Sequence, residues 1–358
     1  MNKWIRAIGY IVIGMLSCLL SCSTPVRYYS ADDFEKVPKI DAHLHYLTTS
    51  GRFIEFATTQ LFSMVSPNVD NEVPIDVQWD ISRTILKGFP RGIAFLVTFE
   101  ADDFASPDFS ANVIQRIEES MRQGASGVKI WKNIGMEIKD SSGRYVLADN
   151  PVFAPIFKYL EEKKIPLLAH LGEPRDCWLP EEKMTDYGDK IYYKNHPQYH
   201  MFLHPEMPSY DEQIRARDHL LELYPGLIFI GAHLGSLEWS IDELALRFDR
   251  YPNFQVDMAA RIGHLQNQSQ ENREHVRDFM IRYQDRILYA TDTEVYDAVM
   301  VDFEQAAQKI RNGWRNDWIY LATDSTNRGV KGLKLPASVI DKIFCTNAER
   351  SYRLKPAR

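Results

Sequence analysis

Ile40-Asp41-Ala42-His43-Leu44-His45 is the stretch on which the fold of this chain turns. Side chains alternate along a strand, so a period of two sets Asp41, His43 and His45 on one face and Ile40, Ala42 and Leu44 on the other. The apolar set is expected to face covering helices and both imidazoles to face an interior, where neutral imidazole suits zinc, nickel, iron or copper. Alone, the pattern fits two hydrogen-bonded strand-end histidines equally well.

From Lys39 onward short apolar runs alternate with amphipathic stretches, the rhythm of strands joined by crossover helices. The strand candidates are Lys39 to His45, Leu61 to Val69, Gly92 to Phe99, Gly127 to Trp131, Ile165 to His170, Leu227 to His233, Phe254 to Met258 and Ile287 to Asp292. Helical patterns fill the intervals, among them Ser110 to Gln123, Val152 to Lys163, Asp211 to Leu223, Ser236 to Asp249 and Asn267 to Gln284. About eight such units in about 310 residues predict an α/β fold, one (β/α)8 barrel over residues 39–358. A doubly wound open sheet would show the same alternation. The helix expected over Pro336 to Tyr352, with proline early, would close the outer ring.

Other strands end as the first one does. His170 closes Leu167-Leu168-Ala169-His170, His233 closes Ile228-Phe229-Ile230-Gly231-Ala232-His233, and Asp292 closes Ile287-Leu288-Tyr289-Ala290-Thr291-Asp292. A lone histidine there is commonly a satisfied core residue, and a lone aspartate a helix cap. Five such groups at strand carboxyl ends, where barrel enzymes build their sites, point instead to a metal site. In Gly127-Val128-Lys129-Ile130-Trp131-Lys132 the parity turns Lys129 and Trp131 inward. A buried lysine is expensive unless it binds an anion, polarises a carbonyl or, carboxylated, bridges two metals; pairing with a carboxylate such as Asp41 is the structural alternative. Lys132, of opposite parity, reads as a loop or surface residue.

The stretch between His170 and Asp211 holds five prolines before Ser209, several tyrosines and Trp178, and is too long for an ordinary βα connection. It reads as a lid or pocket loop, the insertion after the fifth strand. Composition is that of a globular protein, 45% hydrophobic and 25% charged over 358 residues. A net charge of -7 has the wrong sign for a nucleic-acid partner. Cys18, Cys22, Cys177 and Cys345 have neither a disulfide framework's density nor zinc-finger spacing.

Lys3 and Arg6 precede a run of about 14 apolar residues, too short to span a bilayer and typical of a secretory signal. The junction Leu19-Leu20-Ser21-Cys22 resembles the lipobox of bacterial lipoproteins, with Cys18 the weaker alternative and an uncleaved anchor the plainer one. The resemblance implies a signal peptide over 1–21, lipidation of Cys22, a tether over 22–38, and a protein anchored in the bacterial cell envelope, facing the periplasm or on the outer membrane.

His43-x-His45, His170, His233 and Asp292, in that order across Lys39 to Tyr352, look like the amidohydrolase superfamily. The contexts Ala169-His170-Leu171-Gly172-Glu173, Gly231-Ala232-His233-Leu234-Gly235 and Thr346-Asn347-Ala348-Glu349-Arg350 resemble its branch containing aminocarboxymuconate-semialdehyde decarboxylase. The resemblance implies a metal-dependent barrel with His43, His45, His170 and Asp292 as ligands of a divalent metal, zinc by preference, one ion or two, and His233 beside it as acid/base or further ligand. The motif around Lys129 departs from that of dinuclear relatives, and the insertion is long for the branch.

The reaction expected is hydrolysis of an amide, ester or lactone carbonyl of a small-molecule substrate by a metal-activated water. Asp292 would take the proton, while His233 and Lys129 stabilise the oxyanion. Arg175 and Arg261 would grip a substrate carboxylate and Trp178 would offer a ring face. The same ligands serve a nonoxidative decarboxylase of a small carboxylic acid. A noncatalytic solute- or metal-binding lipoprotein is the reading outside the enzymes, and self-association is left open.

Overall fold

The structure, a computed structural model, describes residues 25–327, 329–354 and 356. The expected signal segment and Cys22 lie outside the described residues. Eight parallel strands form one curled sheet in sequence order: β1 (Lys39–Asp41), β3 (Phe62–Pro67), β4 (Ile93–Val97), β5 (Gly127–Ile130), β6 (Leu167–Ala169), β7 (Phe229–Gly231), β8 (Phe254–Asp257) and β9 (Ile287–Leu288). Every candidate strand of the sequence contributes one of them. The seam is joined by Ala42 N–H donating to Tyr289 O (2.9 Å) and Asp292 N–H donating to His43 O (2.8 Å). Beyond it, β2 (Leu44–Leu47) pairs in parallel with β10 (Thr293–Tyr296), so the sheet closes on itself as a (β/α)8 barrel.

Paired residues share a face, and the register therefore fixes which side chains point inward. Lys129 pairs with Leu168, Leu168 with Ile230, and Ile230 with Gln255. On the other side Leu96 pairs with Gly127, Val65 with Ala94, and Ile40 with Ser63. Ile40, Ala42, Val65, Leu96, Leu168, Ile230 and Leu288 accordingly make one buried cluster inside the barrel. Phe62, Phe95, Val128, Leu167 and Phe229 belong to the larger core beneath the helices.

This corrects the simple alternation expected at the first strand. Ile40 and Ala42 face inward and Asp41 outward; a bend at Ala42 and His43 then shifts the phase, so His43 and His45 face the interior while Leu44 and Tyr46 join the outer core. Asp41 pins the bend, accepting from His43 N–H (3.4 Å), Thr291 N–H (3.1 Å), Thr291 Oγ1 (2.6 Å) and Trp314 Nε1 (3.0 Å). An aspartate reaching the amide two residues on is a turn former, which is why two strand segments replace the one expected.

Two other expectations change. From Arg27 the segment expected to be a tether is packed: Ala337 N–H donates to Arg27 O, Trp318 Nε1 donates to Ser30 O, and Phe34 is fully buried in the turn Ala31–Glu35. Its aromatic residues give it something to bury. The terminal helix is broken into Ala337–Asp341, a π-helical turn Lys342–Thr346 and Asn347–Tyr352.

The insertion after β6 folds into short turns around the helix Tyr187–Asn195, with a small core of Met136, Cys177, Met184, Tyr193 and Met201. Asp176, buried, accepts from Thr185 and Asp186 N–H. His264 and Asn267, on the helix Ile262–Arg282, meet Asp189 (3.1 Å) and Asp186 (2.9 Å) and tie the insertion to the barrel.

Candidate active site

At the carboxyl ends of the strands His43 Nε2 and His45 Nε2 lie 3.4 and 3.3 Å from Asp292 Oδ1. Their ligand atoms fall within 4.8 Å of one another. The phase shift at Ala42 aims both histidines inward, and the seam carries Asp292 to them in a left-handed conformation, φ 65°. His43 Nδ1–H donates to Asp257 Oδ2 at 2.8 Å, which leaves Nε2 with its lone pair facing the cluster. Two imidazole nitrogens and a carboxylate oxygen, one histidine fixed by a second carboxylate, are a donor set that fits a divalent cation.

His233 stands between the remaining groups, its ring 5.2 Å from His43 and 4.3 Å from His170. Its Nδ1–H donates to Ala259 O (2.9 Å) and its backbone N–H to Asp257 Oδ1 (2.8 Å). Asp257 therefore holds two histidines at once. His233, Leu234, Gly235 and Ser236 all have φ near 60°, a left-handed turn that costs L-residues about 1–2 kcal/mol each. Arg217 donates to Gly235 O, Tyr210 OH to Ser236 O and Ser236 Oγ to Leu171 O, and these bonds hold the turn. A Cβ on Gly235 would meet the Phe254 ring at 2.7 Å, so glycine is needed there for space as well as for φ.

Burial favours the neutral form of His43, His170 and His233. It pushes His170 down to about 4, lowers His233 well below the histidine range, and lowers His43, where Lys129 adds to the effect. Neutral imidazole is the form that ligates. Asp292 is held well below the usual carboxylate range because His233, His45 and His43 outweigh its burial. Lys129 Nζ lies 3.5 Å from His43 Nε2, and burial lowers it to about 8, with Asp257 and Asp292 opposing. The lysine thus faces the cluster; Asp41, named as its alternative partner, lies on the other side of the strand. His170 Nε2 is 3.8 Å from Glu173, which also pairs with Lys132.

A cavity of about 550 Å³ adjoins this end of the barrel, with Glu173 and Lys132 in its wall beside Trp131. Tyr192, Tyr199 and Met201 of the insertion line it as well. A family model described as amidohydrolase matches residues 40–354. The chain belongs to the amidohydrolase family. Its members usually bind divalent metals, in keeping with the His43, His45 and Asp292 group.

Among solved structures, an uncharacterised TIM-barrel protein from Bordetella bronchiseptica is 15% identical with a TM-score of 0.50, over 88% of this chain and 98% of that one. An amidohydrolase from Burkholderia multivorans with bound HEPES is 10% identical (TM-score 0.46; 89% and 100% covered). Amidohydrolase 2 from Bifidobacterium longum subsp. infantis is 12% identical (TM-score 0.42; 89% and 100% covered). The Bordetella likeness supports the barrel fold alone. No curated protein matches the chain.

The family's barrel mouth does not gather every residue expected there. Arg175 is exposed, its guanidinium 4.1 Å over the Trp239 ring. Trp178 packs edge-on against Tyr210 and donates from Nε1 to Pro208 O (3.1 Å), so it braces the insertion. Arg261 stays near the site among Glu238, Asp189 and Glu173, which raise it against burial. Three residues left outside the site in the reading of the sequence prove central to the geometry. Asp257 ends its own strand in Phe254-Gln255-Val256-Asp257 and was legible by the same rule as Asp292. Glu173 and Lys132 meet only through the turn after His170, which no periodicity announces.

Proposed function

We propose that the protein is a metal-dependent hydrolase acting on an amide, ester or lactone carbonyl of a small molecule. The observation that carries this is the convergence of His43, His45 and Asp292, with His43 oriented by Asp257. His170 and His233 extend the site on the same side. A divalent cation, zinc by preference, would supply Lewis-acid polarisation and an acidified water. Asp292, an anion held by three imidazoles, takes a proton at its carboxylate. His233, its Nδ1–H fixed on Ala259 O, presents Nε2 to receive that proton from Asp292 and pass it on to the leaving group. Lys129 places positive charge where an oxyanion develops.

The lipobox-like Ser21-Cys22 supports an envelope enzyme held by its lipid, and the Ala169-to-Glu173 and Gly231-to-Gly235 contexts support kinship with the decarboxylase-containing branch. The test is metal analysis of the purified chain, then a screen of amides, esters, lactones and carboxylic acids with and without chelator. Stoichiometric divalent metal, lost together with hydrolysis in His43→Ala/His45→Ala by at least about 100-fold, is expected. Release of carbon dioxide from an acid, without hydrolysis, would make it a lyase; unchanged metal in the double variant would remove the site.

A further inference from the structure

The wall of the cavity beside Glu173 contains the rings of Trp131, Tyr192 and Tyr199. Tyr192 and Tyr199 are 44% and 41% exposed, with ring planes 11° apart and centroids 6.4 Å apart. They fill no core; Tyr192 also stacks on His196 (4.5 Å), and near-parallel, half-exposed rings of this kind are ones on which a further ring loses water favourably. A volume of about 550 Å³ is in the range of sites that enclose a small organic molecule.

The charge in the same wall is one-sided. Lys132 is paired with Glu173 and lies over the Trp131 and Tyr199 rings, so its ammonium is already committed. Glu72 and Glu137, both exposed, remain in the wall, and the chain as a whole carries -7. A cleft with walls of low dielectric focuses such a field and raises or lowers the local concentration of a charged ligand accordingly. Neither arginine expected there lines this wall: Arg175 is stacked on Trp239, and the guanidinium of Arg261 is set among Glu238, Asp189 and Glu173.

We infer that the substrate is an uncharged, ring-bearing molecule whose ring lies against Tyr192, Tyr199 and Trp131, with its reacting carbonyl directed past Glu173 towards His170 and the cluster. The reacting group rests on the hydrolase reading; ring and charge rest on the cavity alone. Anionic substrates, polycarboxylic acids included, are disfavoured by the same wall.

Binding is measured apart from turnover, on the metal-loaded full chain, with benzamide as the uncharged ring and benzenesulfonate as an anion that is a poor metal ligand. Benzamide is expected to bind at least about 10-fold more tightly, the equivalent of 1.4 kcal/mol. Tyr192→Ala/Tyr199→Ala, at exposed positions, should weaken benzamide by a similar factor, and Glu72→Lys/Glu137→Lys should reverse the preference. Benzenesulfonate binding as tightly as benzamide, no benzamide binding, or benzamide binding indifferent to the tyrosines would overturn the inference. If the ring binds as expected while no amide, ester or lactone is turned over, the hydrolase reading falls and the cavity assignment stands.

Discussion

His43 gives its Nδ1 proton to Asp257, and this single bond decides which nitrogen is left for a cation. Asp257→Asn keeps the shape but loses the anion, and metal affinity should fall about 10- to 100-fold in a titration against a competing chelator, with the barrel still folded. Lys129 lends itself to a measurement on the metal-free protein. The unfolded chain keeps the lysine proton up to its ordinary 10.5, the folded chain only to about 8, so the unfolded state binds more protons between these values. The contribution of Lys129 to stability is therefore most favourable above 10.5 and is lost as the pH falls towards about 8, by up to about 3 kcal/mol. Lys129→Met should be the more stable protein in urea at pH 7 and should lack this dependence. If it is less stable, the lysine is held by its neighbours rather than strained by them.

At the scale of single elements the strands were largely legible and their phase was not. Runs such as Ile287 to Asp292 carry enough apolar, β-branched character to identify a buried strand. The first strand misleads because Asp41 breaks the alternation: its carboxylate takes bonds from Thr291 and Trp314, residues some 250 positions away in sequence, and no local pattern contains them. Arg175 and Trp178 fell short of the cavity for a similar reason, since Trp239, Tyr210 and Pro208 claim them through tertiary contacts. Lys132 lies in a loop as expected, but its ammonium is largely buried against Glu173, a pairing made through a turn that has no period to announce it. Asp41→Ala strands the Trp314 Nε1–H and the Thr291 donors in the core, and should cost about 2–3 kcal/mol in denaturant melts. Because the same carboxylate sets the bend that aims His43 and His45, metal affinity should fall with it. A variant that loses stability but keeps full affinity would show the bend to be held by the strand pairing instead.

For the whole molecule, the sequence's order of strand ends was enough to place one barrel and one family, while the expected secretory signal falls on residues outside the described structure. Cys22→Ala should leave the protein unlipidated and released from membranes on fractionation in a bacterial host; a variant retained like the parent would rule out the lipobox. The place where the sheet closes has a consequence of another kind. His43 and His45 arrive with the beginning of the barrel and Asp292 with its end, so a cation there is a clasp across the last edge to be zipped. Contacts so remote in sequence carry the greatest loop-closure entropy and form late in folding. A cation at 100 times its dissociation constant adds about 2.7 kcal/mol to stability. If the clasp closes after the transition state, that increment slows unfolding by about 100-fold and leaves the folding rate untouched, which stopped-flow unfolding with and without metal can read. The cation would then set how long a finished barrel lasts without helping it to form.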